Sequence, residues 1–274
     1  MRPFRTLEIS DPTLSPDGLS FVTVKSRALE QRADISFYMP PGLDREQHVP
    51  IVILLHGVFG SHWAWPFKGG AHLTAARLIA EGALPPVVLA MPSDGLWGDG
   101  SGYVPHIDQN FEAWIMEEVP AVAARICAGC TFLSPLLLAG LSMGGFAALR
   151  LAGKYPHRIA AAAAHSAVTA VSDLDDLIEE SRSGWSKAAE DMNVLDALRR
   201  APAPLPPLRF DCGLDDPFLA NNRALHAALE EDRIDHVYRE AEGGHDWAYW
   251  SREIEQSLRF FGTVLCREKL IGAK

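Results

Sequence analysis

Residues 51–55, Ile-Val-Ile-Leu-Leu, form an unbroken run of β-branched and leucine side chains. Residues 87–91 and 136–139 have the same character. A strand buried on both faces reads this way, because neither side of its pleat meets water. Residues 159–164, 208–211 and 236–240 continue the series. Ahead of it, 21–28 and 34–39 alternate apolar and polar positions and predict an antiparallel pair, the second ended by Pro40-Pro41-Gly42. Between the runs the spacing changes to the helical period, and helices are predicted over 73–81, 111–127, 144–154, 223–232 and 251–266. Over 111–127, for example, Phe111, Trp114, Ile115, Val119 and Val122 share one face. Buried strands alternating with helices predict an α/β fold, a mostly parallel central sheet with helices on both faces.

Residues 172–200 break the alternation. They are charged, lack a strand pattern and precede the proline-rich 201–207. They read as a helical insertion over the carboxyl edge of the sheet, either a partial lid or a plain connection. The rest reads as a single domain spanning 1–274. A chain of 274 residues with 48% hydrophobic content suits one large α/β domain with a sizeable core.

Charge narrows the partners. There are 35 acidic against 25 basic residues, a net of −10, with no run of Lys and Arg. Such a chain gains nothing from a phosphate backbone, so nucleic acid is not an expected partner. No window is long and apolar enough to span a bilayer, so no membrane association is expected. Met1-Arg2-Pro3-Phe4-Arg5 has no apolar segment behind it. The reading is no signal peptide and a cytoplasmic protein. The oligomeric state stays open, a homo-oligomer included. Four Cys in a chain of this length do not make a disulfide framework. Cys127-Ala128-Gly129-Cys130 is a lone C-x-x-C with no second ligand pair, and is read as structural thiols.

The strongest local motif is Gly140-Leu141-Ser142-Met143-Gly144. It matches G-x-S-x-G between a predicted strand and a predicted helix, the context in which that motif presents a nucleophile. The two glycines leave room for strand and helix to approach. The serine hydroxyl then stands at a helix N-terminus, where developing negative charge is favoured. A hydroxyl needs a base. Ten His are present, so position must choose among them. His245 lies in Glu242-Gly243-Gly244-His245-Asp246-Trp247, after the last strand and before the last helix, where such a base belongs. Its glycines read as a backbone able to swing the imidazole over Ser142. His165 ends a strand and is expected to pack there, and His56 is expected to shape its loop. Just beyond 208–211 stand Asp215 and Asp216, adjacent candidates for the acid that holds the base; spacing alone does not separate them. An oxyanion hole needs two backbone N–H groups. Met143 supplies one, and Val58, in His56-Gly57-Val58-Phe59-Gly60, supplies the other, with Phe59 as the alternative.

No H-E-x-x-H, phosphate loop or dinucleotide fingerprint is present. His62 and His72 lack a carboxylate or Cys pair to complete a metal set. No cofactor and no metal are expected. Aromatic residues crowd the loops at the carboxyl edge. Trp63, Trp97 and Trp247 are the expected substrate contacts, with Trp65, Phe67, Tyr103, Tyr249 and Trp250 beside them.

Taken together, these landmarks resemble the putative esterase family that includes esterase D. They stand here as Tyr38–Gly42, Leu54–Gly60, Met91–Gly95, Phe111–Trp114 ahead of Glu117–Pro120, Gly140–Gly145, Gly213–Phe218 and Gly243–Trp250. The resemblance implies the α/β-hydrolase fold and a serine hydrolase acting on small carboxylic esters. In that family the acid lies three residues after the glycine of the penultimate strand's loop, which implies Asp216. Members include short-chain carboxylesterases, feruloyl and acetyl esterases, S-formylglutathione hydrolases and mycolyl transferases. The formylglutathione enzymes carry a Gly-Leu-Thr-Cys type oxyanion loop, where this chain has Gly57-Val58-Phe59-Gly60. The expectation is a short-chain acyl esterase, acetyl-sugar or aryl esters included, working through an acyl-enzyme. The alternatives are an acyltransferase on the same triad, and a binding protein that keeps the fold without catalysis.

Overall fold

The computed structural model describes residues 4–43 and 48–272. Met1-Arg2-Pro3, the start of the segment read for a targeting signal, lies outside them. Nine strands form one sheet: β1 (Phe4–Ile9), β2 (Leu19–Ser26), β3 (Arg32–Tyr38), β4 (Ile51–Leu55), β5 (Val88–Pro92), β6 (Leu136–Leu141), β7 (Ile159–His165), β8 (Leu208–Gly213) and β9 (Val237–Ala241). Their order is β1-β2-β3-β5-β4-β6-β7-β8-β9. From β5 to β9 every pairing is parallel, and β1, β2 and β3 extend that sheet antiparallel. The predicted α/β architecture is what forms.

The central strands are buried on both faces, so alternate residues serve two cores. Ile51, Ile53, Leu55, Val88, Ala90 and Leu138 join one. Val52, Leu54, Leu89, Leu137 and Ala139 join the other. The first core is covered by α3 (Phe111–Ala113), α4 (Val119–Ile126), α5 (Met143–Lys154), α7 (Val194–Arg199) and α8 (Leu219–Glu231). The second is covered by α2 (Ala71–Ala80) and α9 (Trp247–Gly272). Short helices α1 (Ala64–Phe67) and α6 (Ala189–Met192) complete the set.

Three expectations need correction. β1 has no counterpart in the sequence reading. It is a mostly exposed edge strand, and a register shift between Phe4 and Leu7 spoils the alternation that marks a strand. The helix predicted over 111–127 is interrupted by a π-turn at Trp114–Glu118, where Val119 N–H reaches Trp114 O. Pro120 follows one residue later; it has no N–H to donate, and its ring would crowd the carbonyl four residues earlier. Widening the turn relieves both. The 172–200 segment is only partly helical. It holds 3₁₀ turns at Val171–Leu174 and Arg182–Gly184, and then α6 and α7.

That segment is tied to the body by buried charge. Arg150, in the middle of α5, is 0% exposed. It donates to Glu112, to Asp191 Oδ1 at 2.7 Å and to Tyr103 O at 2.7 Å. Lys154, one turn on, joins the same carboxylates. Burial raises the cost of ionising Glu112, but Arg150, Tyr155 and Lys154 outweigh it and hold the carboxyl below its ordinary range. Asp191 is held low in the same way, burial being outweighed by Lys154, Ser186 and Arg150.

Removing Arg150 leaves Lys154, which is partly exposed, as the cation shared by the two buried carboxylates. Arg150→Met should therefore lower the unfolding free energy by about 3 kcal/mol, the low end for breaking a buried pair, read by urea titration near neutral pH. In the parent chain both carboxyls ionise more readily folded than unfolded. Their contribution is therefore present above the ordinary carboxylate range and lost as the pH falls through it towards the lowered folded values. A parent urea midpoint that stays flat on acidification would count against this account.

Candidate active site

The turn from β6 into α5 sets the site. A Cβ on Gly140 would collide with the backbone of Gly144, and one on Gly144 with the carbonyls of Leu55 and His56. Strand and helix are that close, and Ser142 between them takes φ 51° and ψ −118°. This is a costly backbone for a residue with a side chain. It is held by Ser142 N–H donating to His165 O at 3.0 Å, and by Ser142 O accepting from Phe146 N at 3.0 Å and Val168 N at 3.2 Å.

The structure brings Ser142, His245 and Asp216 into one line. His245 Nε2 lies 3.1 Å from Ser142 Oγ, and His245 Nδ1 lies 2.9 Å from Asp216 Oδ2. Asp216 Oδ1 accepts from Phe218 N at 2.8 Å. Burial would raise the Asp216 carboxyl. The His245 hydrogen bond and charge, with help from Ser166 and Phe218, outweigh burial and hold it below its ordinary range. Asp215 is exposed and its side chain makes no hydrogen bond among the described residues. A two-residue turn therefore separates the paired aspartates: one points in, the other into water.

The His245 loop differs from the swinging arm expected of its glycines. The imidazole stands edge-on between Phe218, at 5.1 Å, and Trp250, at 4.9 Å. Gly243 is needed instead for a left-handed turn, at φ 127°, packed against Tyr249.

The two backbone N–H groups expected to act as oxyanion donors are both left without a partner among the described residues. Met143 N–H is at the first turn of α5, where N–H groups have no helical partner. Val58 N–H makes no hydrogen bond among the described residues, whereas Phe59 N–H is taken by Asp99 O at 2.8 Å. Phe59 is thereby out of contention. The loop is shaped by His56, whose Nδ1 donates to Gly57 O at 2.6 Å and whose Nε2 accepts from Asp94 N–H at 3.0 Å. Both ring nitrogens are committed with the ring neutral, and burial pushes its pKa down against the pull of Asp94.

A cavity of about 500 Å³ opens over Ser142 and His245. Trp63, Trp247, Trp250, Leu177 and Phe218 form its apolar wall, and Lys68, Asp173 and Asp176 add charge. Leu177 and the two aspartates come from the 172–200 segment. Of the three expected substrate contacts, Trp63 and Trp247 line the cavity. Trp97 does not; it packs against His106 and Trp185, 4.8 and 5.7 Å between ring centres. Trp65 is buried behind the wall with Nε1 donating to Leu55 O. Tyr103 is buried against His56 O. Tyr249 and Trp250 lie in the first turn of α9 and not in a loop.

A buried polar cluster underlies the site. Directly behind Ser142, His165 Nδ1 bonds both oxygens of Asp211, at 3.0 and 3.1 Å. Tyr249 Oη donates to Asp211 at 2.8 Å, Arg209 pairs with it, and Ser257 Oγ meets His165 Nε2 at 3.2 Å. Burial opposes the Asp211 charge, but His165, Arg209 and Tyr249 outweigh it. His165 ends β7 and Asp211 lies near the end of the neighbouring β8, and the two pair in register.

The model of the family described as putative esterase matches residues 26–261. The chain belongs to that family. An acetyl esterase of Caldicellulosiruptor saccharolyticus is 24% identical over 237 residues, covering 80% of this chain and 85% of the relative. A solved ferulic acid esterase superposes with a TM-score of 0.76 at 20% identity, covering 95% of this chain and 100% of that one. The fluorophosphonate-binding serine hydrolase F of Staphylococcus aureus, solved with substrate bound, gives 0.76 at 19%, covering 89% and 97%. The fold of this esterase family member is thus that of the α/β-hydrolases. No helix among the described residues is long and apolar enough to cross a membrane.

The geometry gives the two aspartates different fates. Asp216→Asn should cut kcat by up to about 10⁴ with KM little changed, because His245, the expected base, loses the carboxylate that orients it. Asp215→Asn should stay within about tenfold, since it loses at most a loop contact of about 1 kcal/mol. Steady-state kinetics on one chromogenic ester decides it; a dead Asp215 variant beside a live Asp216 variant would reverse the assignment.

Proposed function

We propose that this family member is a serine carboxylesterase that cleaves short-chain acyl esters through an acyl-enzyme. The observation that carries this reading is the continuous path Ser142 Oγ, His245, Asp216 beneath an open cavity. On it, Ser142 Oγ attacks the ester carbonyl while His245 Nε2 takes the hydroxyl proton. Asp216 keeps the other nitrogen protonated and offsets the imidazolium charge. The oxyanion is received by the N–H groups of Val58 and Met143. His245 then returns its proton to the departing alcohol. Water repeats the attack on the acyl-Ser142, releasing the carboxylic acid and restoring the hydroxyl.

The cavity supports small substrates. Its volume suits a compact acyl group and one ring, and Trp63 and Trp247 offer flat apolar faces. Lys68 Nζ lies 5.8 Å from the Trp63 ring and 5.9 Å from Trp247. With Asp173 and Asp176 it supplies polar contacts of the kind hydroxylated leaving groups use, which favours acetyl-sugar and aryl esters. The named relative acting on acetyl esters and the ferulic acid esterase fit this range. All four cysteines are free thiols, three of them buried, which supports a cytoplasmic setting.

p-Nitrophenyl acetate should give a burst of p-nitrophenol of one equivalent or less, followed by slower turnover. Ser142→Ala should lower kcat by roughly 10⁴ or more without loss of folding, and a fluorophosphonate probe should label Ser142 alone. Labelling that survives in the alanine variant would move the nucleophile elsewhere. Comparing acetyl-sugar, feruloyl and longer acyl esters then ranks the substrates.

A further inference from the structure

A second cluster of chemically able side chains lies at the other edge of the sheet. Ser142, Asp216 and His245 follow the carboxyl ends of β6, β8 and β9. His236 instead immediately precedes β9, at its amino end. Facing it, His226 and Glu230 stand four residues apart on α8 and share one side of that helix. The chain closes the distance between them with a turn through Arg233 in the left-handed region, φ 57°.

One potential ligand atom from each of His226, Glu230 and His236 lies within 4.8 Å of the others. His226 Nδ1 and His236 Nε2 are 2.8 Å apart. His236 Nδ1 lies 2.7 Å from Ile234 O. A carbonyl only accepts, so the His236 proton is on Nδ1 and a lone pair on Nε2 faces His226. A backbone carbonyl behind the far nitrogen is the arrangement that orients metal-bound imidazoles. Ring planes are also set in advance. His236 stacks on Phe210 at 5.5 Å and 19°, and His226 on Tyr238 at 4.5 Å and 26°. The neighbouring cation Arg223 is already paired with Glu240.

We propose that His226, Glu230 and His236 form a binding site for a divalent transition-metal ion of the zinc type. Two imidazoles and one carboxylate are an N and O donor set that suits zinc and not the oxygen-seeking calcium or magnesium. Binding replaces the proton now shared between the two rings. That proton leaves His226 Nδ1, the ring carries one at Nε2 instead, and both facing nitrogens coordinate. They must part to about 3.3 Å, the spacing of two nitrogens around a tetrahedral zinc. Glu230, exposed on α8, supplies the third bond, and water the fourth. The ion would clamp α8 to the edge strand β9. His62, His72 and the Cys127–Cys130 pair are the metal-ligand types that stand out along the chain. This trio has no spacing signal in the sequence, because the approach of His236 to α8 depends on the turn at Arg233.

The test is calorimetric titration of the chelator-stripped full chain with zinc chloride. One Zn²⁺ per chain should bind, and the melting temperature should rise with it. Stoichiometric binding should be lost in His226→Ala and in His236→Ala and weakened in Glu230→Gln, with turnover of p-nitrophenyl acetate retained in all three. His245→Ala should still bind one ion, which separates this site from the hydrolytic one. Should an alanine variant fold poorly, the exposed Glu230→Gln still reports. Absence of one-to-one binding, or binding undiminished in Glu230→Gln and His236→Ala, would overturn the proposal.

Discussion

The whole site hangs on how closely β6 and α5 approach. Gly140 and Gly144 admit no side chain there, and Ser142 is left in a backbone that costs on the order of 1–3 kcal/mol. That cost is tolerable because both cores brace the turn. β6 is buried on both faces, and α5 is buried over Met143–Gly153. The same geometry points the hydroxyl out of the sheet and the first N–H groups of α5 inward. Any movement apart of strand and helix would relax the serine and lose both.

What surrounds the turn follows from parallel strands ending at one edge. β4 ends in the His56–Gly60 loop, β8 in the Asp216 turn, β9 in the His245 loop. Neutral His56 pins the first of these, and the buried His165–Asp211 pair stiffens the floor below the second. Polar groups this deep are tolerated because nearly each has a partner. The 172–200 segment completes the cavity wall with Leu177, and Arg150 fixes its far end through Asp191.

Much of this was legible in the chain. Strand and helix periods gave the sheet, because buried strands and amphipathic helices leave distinct spacings. Ser142 and His245 could be named because a strained turn and a loop after the last strand restrict residue type. Asp216 needed the family's spacing, since two adjacent carboxylates look alike until the turn is built. Edge strand β1 and the π-turn escaped, the first through its bulge and the second because its cause, Pro120, suits an ordinary helix start as well. Trp97 could not be separated from Trp63, as composition says a ring is near an edge and not which wall it meets. Arg150 with its two carboxylates, and the His226 cluster, join residues far apart in sequence, and no local pattern announces them.

The edge-on packing of His245 has a kinetic meaning. An imidazole free to swing would have to be caught in register at every encounter, and that search would appear as a negative entropy of activation. Here Phe218 and Trp250 hold the ring, Asp216 fixes its rotation, and the search ends when the chain folds. If His245 acts as the proposed base, the barrier left to each turnover is then set more by bond making at the ester carbon than by that search. Loosening either aromatic neighbour would shift the rate law's temperature dependence before it touched the chemistry.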